Sequence, residues 1–438
     1  MADKQITTET TTTTTATTAT TAPTAPIAPQ PQSPSSDKPA RFLRFRHILG
    51  RLKKRLYAFR LPFRDIDIKT AGKLTVSAAA LLAVLLMIAV RADLSPAAIV
   101  RGAKDKQVLS AASGEGFPYD IKGSRSLQVE PVSHGTAVLT DSVCAILDKD
   151  GKEIVCQTHY MANPVLRTAD RYMLLFDKMA KVYCLRTLSG NICTGHVDHS
   201  IFTGDVSRSG CFALVTKHDT AYAHIYVFSK KGDVLHKWKS SVYHISDIAV
   251  SPSGHLVAMC GTAADDEGKL RSCVLIQKVG GSENLREYLF DDTLLFSVRF
   301  TDNDSVTAIG DDLTARVFVG SDKKLTYSYQ NRTLTGFDAA ENGSVALALS
   351  QHSDGQNASV VILNASCEEI GAVETSLSSP AVELTGGRVN AVGQSRFYSW
   401  TIGGRLLHSG EVPADVHRVL TSEGHVIAGG TSTITCID

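Results

Sequence analysis

Apolar and polar residues alternate along most of the chain after residue 125, and the alternation comes in repeated units. Each unit contains an apolar strand, a tight turn and a second apolar strand that ends in small residues; the clearest copy is IAVSPSGHLVAMCG at 248–261. A period of two indicates β-strands with a buried face rather than amphipathic helices. The eight copies begin at Val129, Val165, Asp205, Ile248, Val298, Phe337, Val382 and Arg418.

Successive copies lie roughly 40 residues apart, which is the period of a four-stranded propeller blade. Each copy is followed by a third β-rich run, a polar or glycine-bearing turn and a fourth run. Turns such as KKGD at 230–233 and IGGR at 402–405 carry the glycine that a backbone with positive φ requires. The pattern predicts an all-β protein, an eight-bladed β-propeller, with seven blades as the alternative.

The eighth unit is incomplete, because the sequence ends at Asp438 directly after its third strand, STITCID. A missing fourth strand would leave an edge with unpaired N–H and C=O groups, which proteins normally pair or cover. The segment GFPYDIKG at 116–123 is a short apolar run between glycines that precedes the first blade. We therefore predict a propeller over 116–438 that is closed by the strand at 116–123.

An uncharged apolar segment, Leu74 to Val90, lies before the repeats between Lys73 and Arg91. It has 17 residues, which is about the shortest helix that crosses a bilayer. A buried globular helix is the alternative, but the segment is apolar on all its faces. A cleaved signal peptide is disfavoured because no small-x-small site follows before Arg91. The segment is predicted to be an uncleaved transmembrane signal anchor at 74–90.

The charges that flank this anchor differ in sign. Residues 1–73 contain 13 Lys and Arg against 5 Asp and Glu, whereas residues 91–438 contain 32 against 39. Positive charge near a membrane segment stays on the cytoplasmic side. We therefore expect a single-pass protein of the cell membrane with a cytoplasmic N-terminus, a linker at 91–115 and an extracytoplasmic propeller.

The region before the anchor divides into two parts. Residues 1–40 are a low-complexity sequence of Thr, Ala and Pro that predicts a disordered cytoplasmic arm. Residues 41–73 place apolar side chains at helical spacing among many Arg and Lys, which predicts a basic juxtamembrane amphipathic helix on the anionic inner leaflet. The alternative is a solvated basic face that only fixes topology. Because the juxtamembrane position accounts for the basic residues, no nucleic-acid partner is predicted.

All nine cysteines follow the anchor. Three pairs have sequence positions that are symmetric about a predicted hairpin turn, so cross-strand disulfides are possible for them. The alternative, which stays open here, is that the cysteines are small buried residues of the sheets. The three pairs are Cys144 with Cys156, Cys184 with Cys193, and Cys260 with Cys273.

Motifs of common enzymes are absent from the sequence: there is no GxSxG, phosphate-binding loop, HExxH or CxxC. One cluster, CTGHVDH at 193–199, carries residue types that bind zinc, namely Cys193, His196, Asp198 and His199. Such a cluster in a connecting loop is more often polar surface. We assign no catalytic residue, no cofactor and no metal site.

The anchor, the GFPYDIKG segment and the SPSGHLVA-type repeats together resemble an uncharacterised bacterial, largely Gram-positive, family of signal-anchored extracytoplasmic WD40-like propellers. The resemblance covers about residues 70–438 and implies location and fold, but no catalytic residue. The chain differs from true WD40 repeats, since no Trp-Asp dipeptide ends a third strand.

Two classes of function follow from these features. A non-catalytic binding or scaffold module at the cell surface would bind a protein, a peptide or a cell-wall component at the propeller face. The alternative is a channel-mouth hydrolase or lyase that acts on a cell-surface polysaccharide, with carboxylates from distant blades. The first class is favoured because the sequence shows no nucleophile–base pair.

Overall fold

A computed structural model describes residues 100, 104–105, 107–121, 124–264 and 267–437 of the 438-residue chain. The arm at 1–40, the basic segment at 41–73 and the apolar segment at 74–90 lie outside the described residues. What the sequence predicts for them therefore stays a prediction. Among the residues that are described, no helix is both long and apolar enough to cross a bilayer.

The described residues form 32 β-strands, arranged in eight antiparallel sheets of four strands each. The predicted eight-bladed β-propeller is confirmed. In chain order the first strand is β1 (Tyr119–Asp120), which belongs to the last sheet. Blade 1 contains β2 (Ser126–Val132), β3 (Gly135–Thr140), β4 (Val143–Leu147) and β5 (Glu153–Thr158); blade 2 contains β6 (Pro164–Ala169), β7 (Tyr172–Asp177), β8 (Val182–Thr187) and β9 (Gly190–His196).

The next four blades follow the same order. Blade 3 contains β10 (Ile201–Val206), β11 (Phe212–Thr216), β12 (Ala223–Phe228) and β13 (Val234–Ser240); blade 4 contains β14 (His244–Val250), β15 (Leu256–Ala264), β16 (Leu270–Lys278) and β17 (Asn284–Asp291). Blade 5 contains β18 (Leu295–Phe300), β19 (Ser305–Gly310), β20 (Leu313–Phe318) and β21 (Lys324–Ser328); blade 6 contains β22 (Thr333–Ala339), β23 (Val345–Ser350), β24 (Ser359–Leu363) and β25 (Glu369–Glu374).

The last two blades complete the ring. Blade 7 contains β26 (Ala381–Thr385), β27 (Arg388–Gly393), β28 (Arg396–Thr401) and β29 (Leu406–Glu411). Blade 8 contains β30 (Val416–Ser422), β31 (His425–Gly430), β32 (Thr433–Cys436) and, as its outer strand, β1.

The hydrophobic core lies between neighbouring blades. Second strands such as β3 and β23 are buried along their whole length, whereas outer strands such as β21 alternate between exposed and partly buried residues. A sheet that is covered on both faces needs apolar residues at every position. The blade 4–blade 5 interface, for example, packs Val274 and Ile276 against Val306 and Ala308. Each interface is therefore a separate core, and the ring is stable only if every interface is closed.

The ring closes between the first and last parts of the propeller sequence. β1 pairs antiparallel with β32, with Tyr119 opposite Ile434 and Asp120 opposite Thr433. The Ile121 N–H then donates to the Ser432 carbonyl at 2.9 Å. The pairing that the sequence predicts for this segment is present, although as a strand of only two residues.

The segment just before β1 lies against blade 1. The Phe117 N–H donates to the Asp150 carbonyl at 3.0 Å, and its ring packs on Gly151, where any side chain would collide with it. Ser113 exchanges backbone hydrogen bonds with Glu153 in β5. Residues 113–121 therefore connect blade 1 with blade 8, and we call them the closure strap.

The disulfides considered from the sequence do not form, and none of the nine cysteines, all of which the structure describes, is in a disulfide bond. Cys156 lies opposite Ala145, one position from Cys144. Side chains at adjacent positions of a strand point to opposite faces of the sheet. The two sulfurs are thus separated by the sheet itself.

A β-bulge causes this displacement. Val155 lies opposite Ile146, but Glu153 lies opposite Leu147, so β5 contains one extra residue near the turn. The extra residue moves the register by one position. The two other candidate pairs are also displaced by one residue. Cys193 lies opposite Leu185 in a pairing with a similar bulge, whereas Cys273 lies opposite Gly261 in a pairing without one.

We expect the thiols to differ sharply in their reactivity. Cys156 is exposed beside a groove of about 670 Å³, whereas Cys144 and Cys260 are fully buried. Burial also raises the pKa of Cys260 to about 12. A maleimide reagent should label Cys156 first in the native protein and all nine cysteines after denaturation without reductant, as measured by peptide mass spectrometry. Any cysteine that is labelled only after reduction would contradict the free-thiol structure.

Candidate functional site

The first strand of every blade lies next to the propeller axis, and the first strands of successive blades, apart from blades 5 and 6, contact one another closely. Each of them carries one acidic residue or arginine. We call these eight residues the channel ring. In blade order they are Glu130, Arg167, Asp205, Asp247, Arg299, Asp338, Glu383 and Arg418.

The carboxylates of the ring connect blade to blade. The Asp205 Oδ2 atom accepts a hydrogen bond of 2.8 Å from the Val250 N–H of the next blade. A first strand has no neighbouring strand on its axial side, so its N–H groups there need another acceptor. A carboxylate forms a strong, charge-assisted bond with such a group. Equivalent bonds join Val298 N–H to Asp247 at 3.1 Å, Leu384 N–H to Asp338 at 2.8 Å and Thr421 N–H to Glu383.

Arginines occupy the ring positions of blades 2, 5 and 8, from which no such carboxylate bond is made. Arg418 Nη2 lies 3.4 Å from Glu130 Oε2 and so links blade 8 to blade 1. Arg299 is exposed to the channel and, among the described residues, makes no hydrogen bond or close ion pair. Its guanidinium group is surrounded by carboxylates at longer range, namely those of Asp205, Asp247, Glu130 and Asp338.

The ring has more carboxylates than guanidinium groups, five against three. Burial raises the pKa of Asp205, and the nearby Arg299 only partly offsets this. Burial likewise raises the pKa of Asp338 and of Glu383. The enclosed channel keeps bulk water away from Arg299, which lowers its pKa, but the carboxylates around it outweigh this effect and raise the pKa. The channel therefore favours an added positive charge.

The channel opens at two ends. At the lower face, where the first and second strands are joined, a cavity of about 190 Å³ is lined by Asp205, Arg299 and Thr301. An ion pair between Arg208 and Glu341 crosses this mouth from blade 3 to blade 6. At the upper face, where the first strands begin, a cavity of about 430 Å³ lies at blades 6–8 and includes Arg418.

The cluster that the sequence pointed to at 193–199 is dispersed. Cys193 lies in β9, the Asp198 Oδ2 atom accepts a hydrogen bond of 3.1 Å from the Tyr226 hydroxyl, and His199 lies beside His218 with ring centroids 5.7 Å apart. In the part of the chain that the structure describes, no three His, Cys, Asp or Glu residues are arranged to hold a metal ion. The channel ring was missed from the sequence, although each first strand carries an acid or an arginine that is visible there.

Comparison with protein families gives one match. The model of a family of unknown function, DUF5711, matches residues 118–437. The chain belongs to this family. The match covers the ring from the closure strap to the last strand, and it agrees with the resemblance to an uncharacterised family of WD40-like propellers.

Solved structures similar to this DUF5711 chain are also propellers, at low sequence identity. BamB from Moraxella catarrhalis is 10% identical with a TM-score of 0.47, covering 73% of this chain and 96% of that one. The Swd1 propeller domain of Myceliophteria thermophila is 11% identical with a TM-score of 0.48, covering 65% and 99%. Chaetomium thermophilum Sqt1, bound to the N-terminus of a ribosomal protein, is 11% identical with a TM-score of 0.49, covering 74% and 100%. No curated protein matches the chain.

Proposed function

We propose that this chain is a membrane-anchored extracytoplasmic binding module whose channel receives a basic side chain of a protein or peptide partner. The observation that carries this proposal is the excess of carboxylates over guanidinium groups in the channel ring. A lysine or arginine side chain that entered the channel would offset part of this excess and would interact with several carboxylates at once.

The ring also leaves an acceptor available. Asp205 uses Oδ2 for the Val250 N–H, and among the described residues no hydrogen bond reaches its Oδ1 atom. The lower mouth, with its cavity of about 190 Å³, admits a side chain rather than a folded domain. The exposed pair Arg208–Glu341 lies over this mouth and would be displaced by the entering segment.

A charge-neutral substitution tests the channel directly. In Asp205→Asn/Asp338→Asn, each amide oxygen still accepts the N–H of the next blade, so the ring keeps its connections but loses two charges. We expect crosslinking and pull-down from the native host to recover the partner with the parent protein and to lose it with this variant. A matched control, Asp233→Asn/Asp322→Asn, removes two acids outside the ring. If the ring variant and the control recover the same partners, the channel is not the binding site.

The membrane location rests on the uncharged segment Leu74–Val90 and on the opposite charges of its flanks. Protease added to intact cells with the outer layers opened should digest the propeller and spare residues 1–73, as shown by antibodies against each part. Protection of the propeller in intact cells, together with its digestion after lysis, would contradict this topology.

A second candidate is a hydrolase or lyase that acts on a cell-surface polysaccharide. It is favoured by the raised pKa of Asp205 and of Asp338, since a general acid must stay protonated near neutral pH. Incubation of the purified protein with cell-wall polysaccharides and measurement of new reducing or unsaturated ends tests this alternative. Product formation that disappears in Asp205→Asn would replace the binding proposal.

A further inference from the structure

A group of lysines without acidic partners lies at the upper part of blades 2 and 3. All five are exposed, and within the described residues none of them forms an ion pair. We call this group the lysine surface. Its members are Lys178, Lys181, Lys217, Lys237 and Lys239.

Backbone hydrogen bonds hold the three loops of this surface together. The Met179 N–H donates to the Ile201 carbonyl at 2.8 Å, which joins the turn of blade 2 to the start of blade 3. The Lys217 N–H donates to the Ser200 carbonyl at 2.9 Å, and the Val197 N–H to the Lys181 carbonyl at 2.9 Å. The lysines at 178, 181 and 217 are therefore on one continuous surface.

The outer strand of blade 3 extends this surface. Lys239 lies opposite His224 and Lys237 lies opposite Tyr226 in the pairing of β12 with β13. Residues opposite one another in an antiparallel pair share a face of the sheet. Lys237 also contacts the Tyr226 ring, with its ammonium group 5.2 Å from the ring centroid.

Few acids balance these charges. The segments of the lysine surface at 178–182, 197–200, 217–222 and 237–243 contain two aspartates, Asp198 and Asp219. Asp198 accepts the Tyr226 hydroxyl at 3.1 Å, and Asp219 lies 3.9 Å from a ring nitrogen of His199. Neither aspartate is paired with a lysine, so the surface keeps an excess of positive charge.

Histidines line the same surface. The rings of His199 and His218 are 5.7 Å apart, and those of His218 and His224 are 5.4 Å apart. The pKa of His224 is lowered to about 4, first by burial and then by the positive charges of His218, Lys239, Lys237 and His199. The local field is thus unfavourable to a further cation and favourable to an anion.

We propose that the lysine surface binds a linear phosphate polymer without nucleobases. Ammonium groups and imidazole N–H groups are donors to phosphate, and a row of separated lysines matches a chain of repeated charges. The four segments named above contain no arginine, a residue that is enriched at protein interfaces. The exposed ring of Tyr222 is in contact with His244, at 4.0 Å between centroids, which leaves less of it open to stack on a base. The site is separate from the channel and does not depend on the function proposed for it.

Binding of fluorescent long-chain inorganic polyphosphate to the full-length protein in detergent micelles tests this assignment by anisotropy. Lys217→Glu/Lys239→Glu should weaken binding about tenfold or more and reduce its dependence on salt concentration. Lys231→Glu/Lys323→Glu makes the same change of charge at the lower turns and should alter the affinity less than about twofold. All four lysines are exposed, and among the described residues none of them forms an ion pair. Both variants should therefore have the melting temperature of the parent protein. If the first variant melts lower, Lys217→Gln/Lys239→Gln replaces it, with a smaller expected loss.

Three results would overturn the proposal. Equal weakening by both charge-reversal pairs would show that net charge alone attracts the polymer. Displacement of polyphosphate by single-stranded DNA at a lower phosphate concentration would assign the surface to nucleic acid. Displacement by poly-glutamate at equal charge would show that phosphate is not recognised.

Discussion

A chain that begins at Ser124 should melt far below one that begins at Ala92, or aggregate, because it lacks the closure strap. Without β1 the edge of β32 is unpaired, and the hydrogen bonds of Phe117 and Ile121 to blades 1 and 8 are lost. Blade 8 then lacks its outer strand, and the junction between blades 8 and 1, which we call the seam, is no longer covered. Thermal unfolding followed by circular dichroism, together with size-exclusion chromatography, measures the difference.

Point substitutions in the full-length strap separate packing from truncation. Ile121 is 8% exposed and belongs to the apolar cluster of the seam with Val129, Leu420 and Ile434. Ile121→Ala should cost about 2–4 kcal/mol of unfolding free energy. Tyr119→Phe, which removes only the hydroxyl that donates to Glu153 at 3.0 Å, should cost about 1 kcal/mol. Equal melting temperatures of the two truncated chains would refute closure by the strap.

Removing a single carboxylate from the channel ring should also destabilise the propeller strongly. Glu383 is 8% exposed and accepts hydrogen bonds from Asn390 Nδ2 at 2.9 Å, from Thr421 Oγ1 at 3.0 Å and from the Thr421 N–H. Glu383→Ala leaves these donors unsatisfied inside the blade 7–blade 8 junction. The expected loss is about 3 kcal/mol of unfolding free energy, measured by denaturant titration.

The matched variant Glu383→Gln keeps an acceptor for Thr421. Its amide nitrogen would face Asn390 Nδ2, but a half-turn of the Asn390 amide brings Oδ1, which is buried and has no hydrogen bond among the described residues, into position to accept from it. We expect a loss of about 1 kcal/mol or less for this substitution. If Glu383→Ala were as stable as Glu383→Gln, the carboxylate bonds would not hold the ring together.

The blade count and the closure were predictable because they depend on local patterns. Alternation of period two, glycine turns such as that at Gly232 and the short apolar run at 116–123 are all visible in the sequence. The cysteine pairing was not predictable, because it depends on register. One extra residue in β5 moves Cys156 to the face opposite Cys144, and a bulge has no distinct sequence signal.

The candidate site was harder to predict than the fold. Each ring residue is one charged side chain in an otherwise ordinary alternating strand, and its partners belong to other blades. Asp205 and Val250 are distant in sequence. Arg299 interacts electrostatically with Glu130, at long range, only because blades 5 and 1 lie opposite one another across the axis. The available signal was one charged residue in every first strand, at positions that differ by two residues in blades 4 and 8. Polar turn residues such as Asp302 recur for a different, local reason.

The position of the closure strap in the chain has a consequence for biosynthesis. Of the strands that the structure describes, β1 is synthesised first and its partner β32 is synthesised last. The closure strap therefore stays unpaired until β32 has been synthesised, whereas blades 1 to 7 can form from neighbouring segments of the chain. A stop codon between Glu411 and Thr433 would yield a protein in which blades 1 to 7 are present but the ring stays open, with an exposed edge beside the gap.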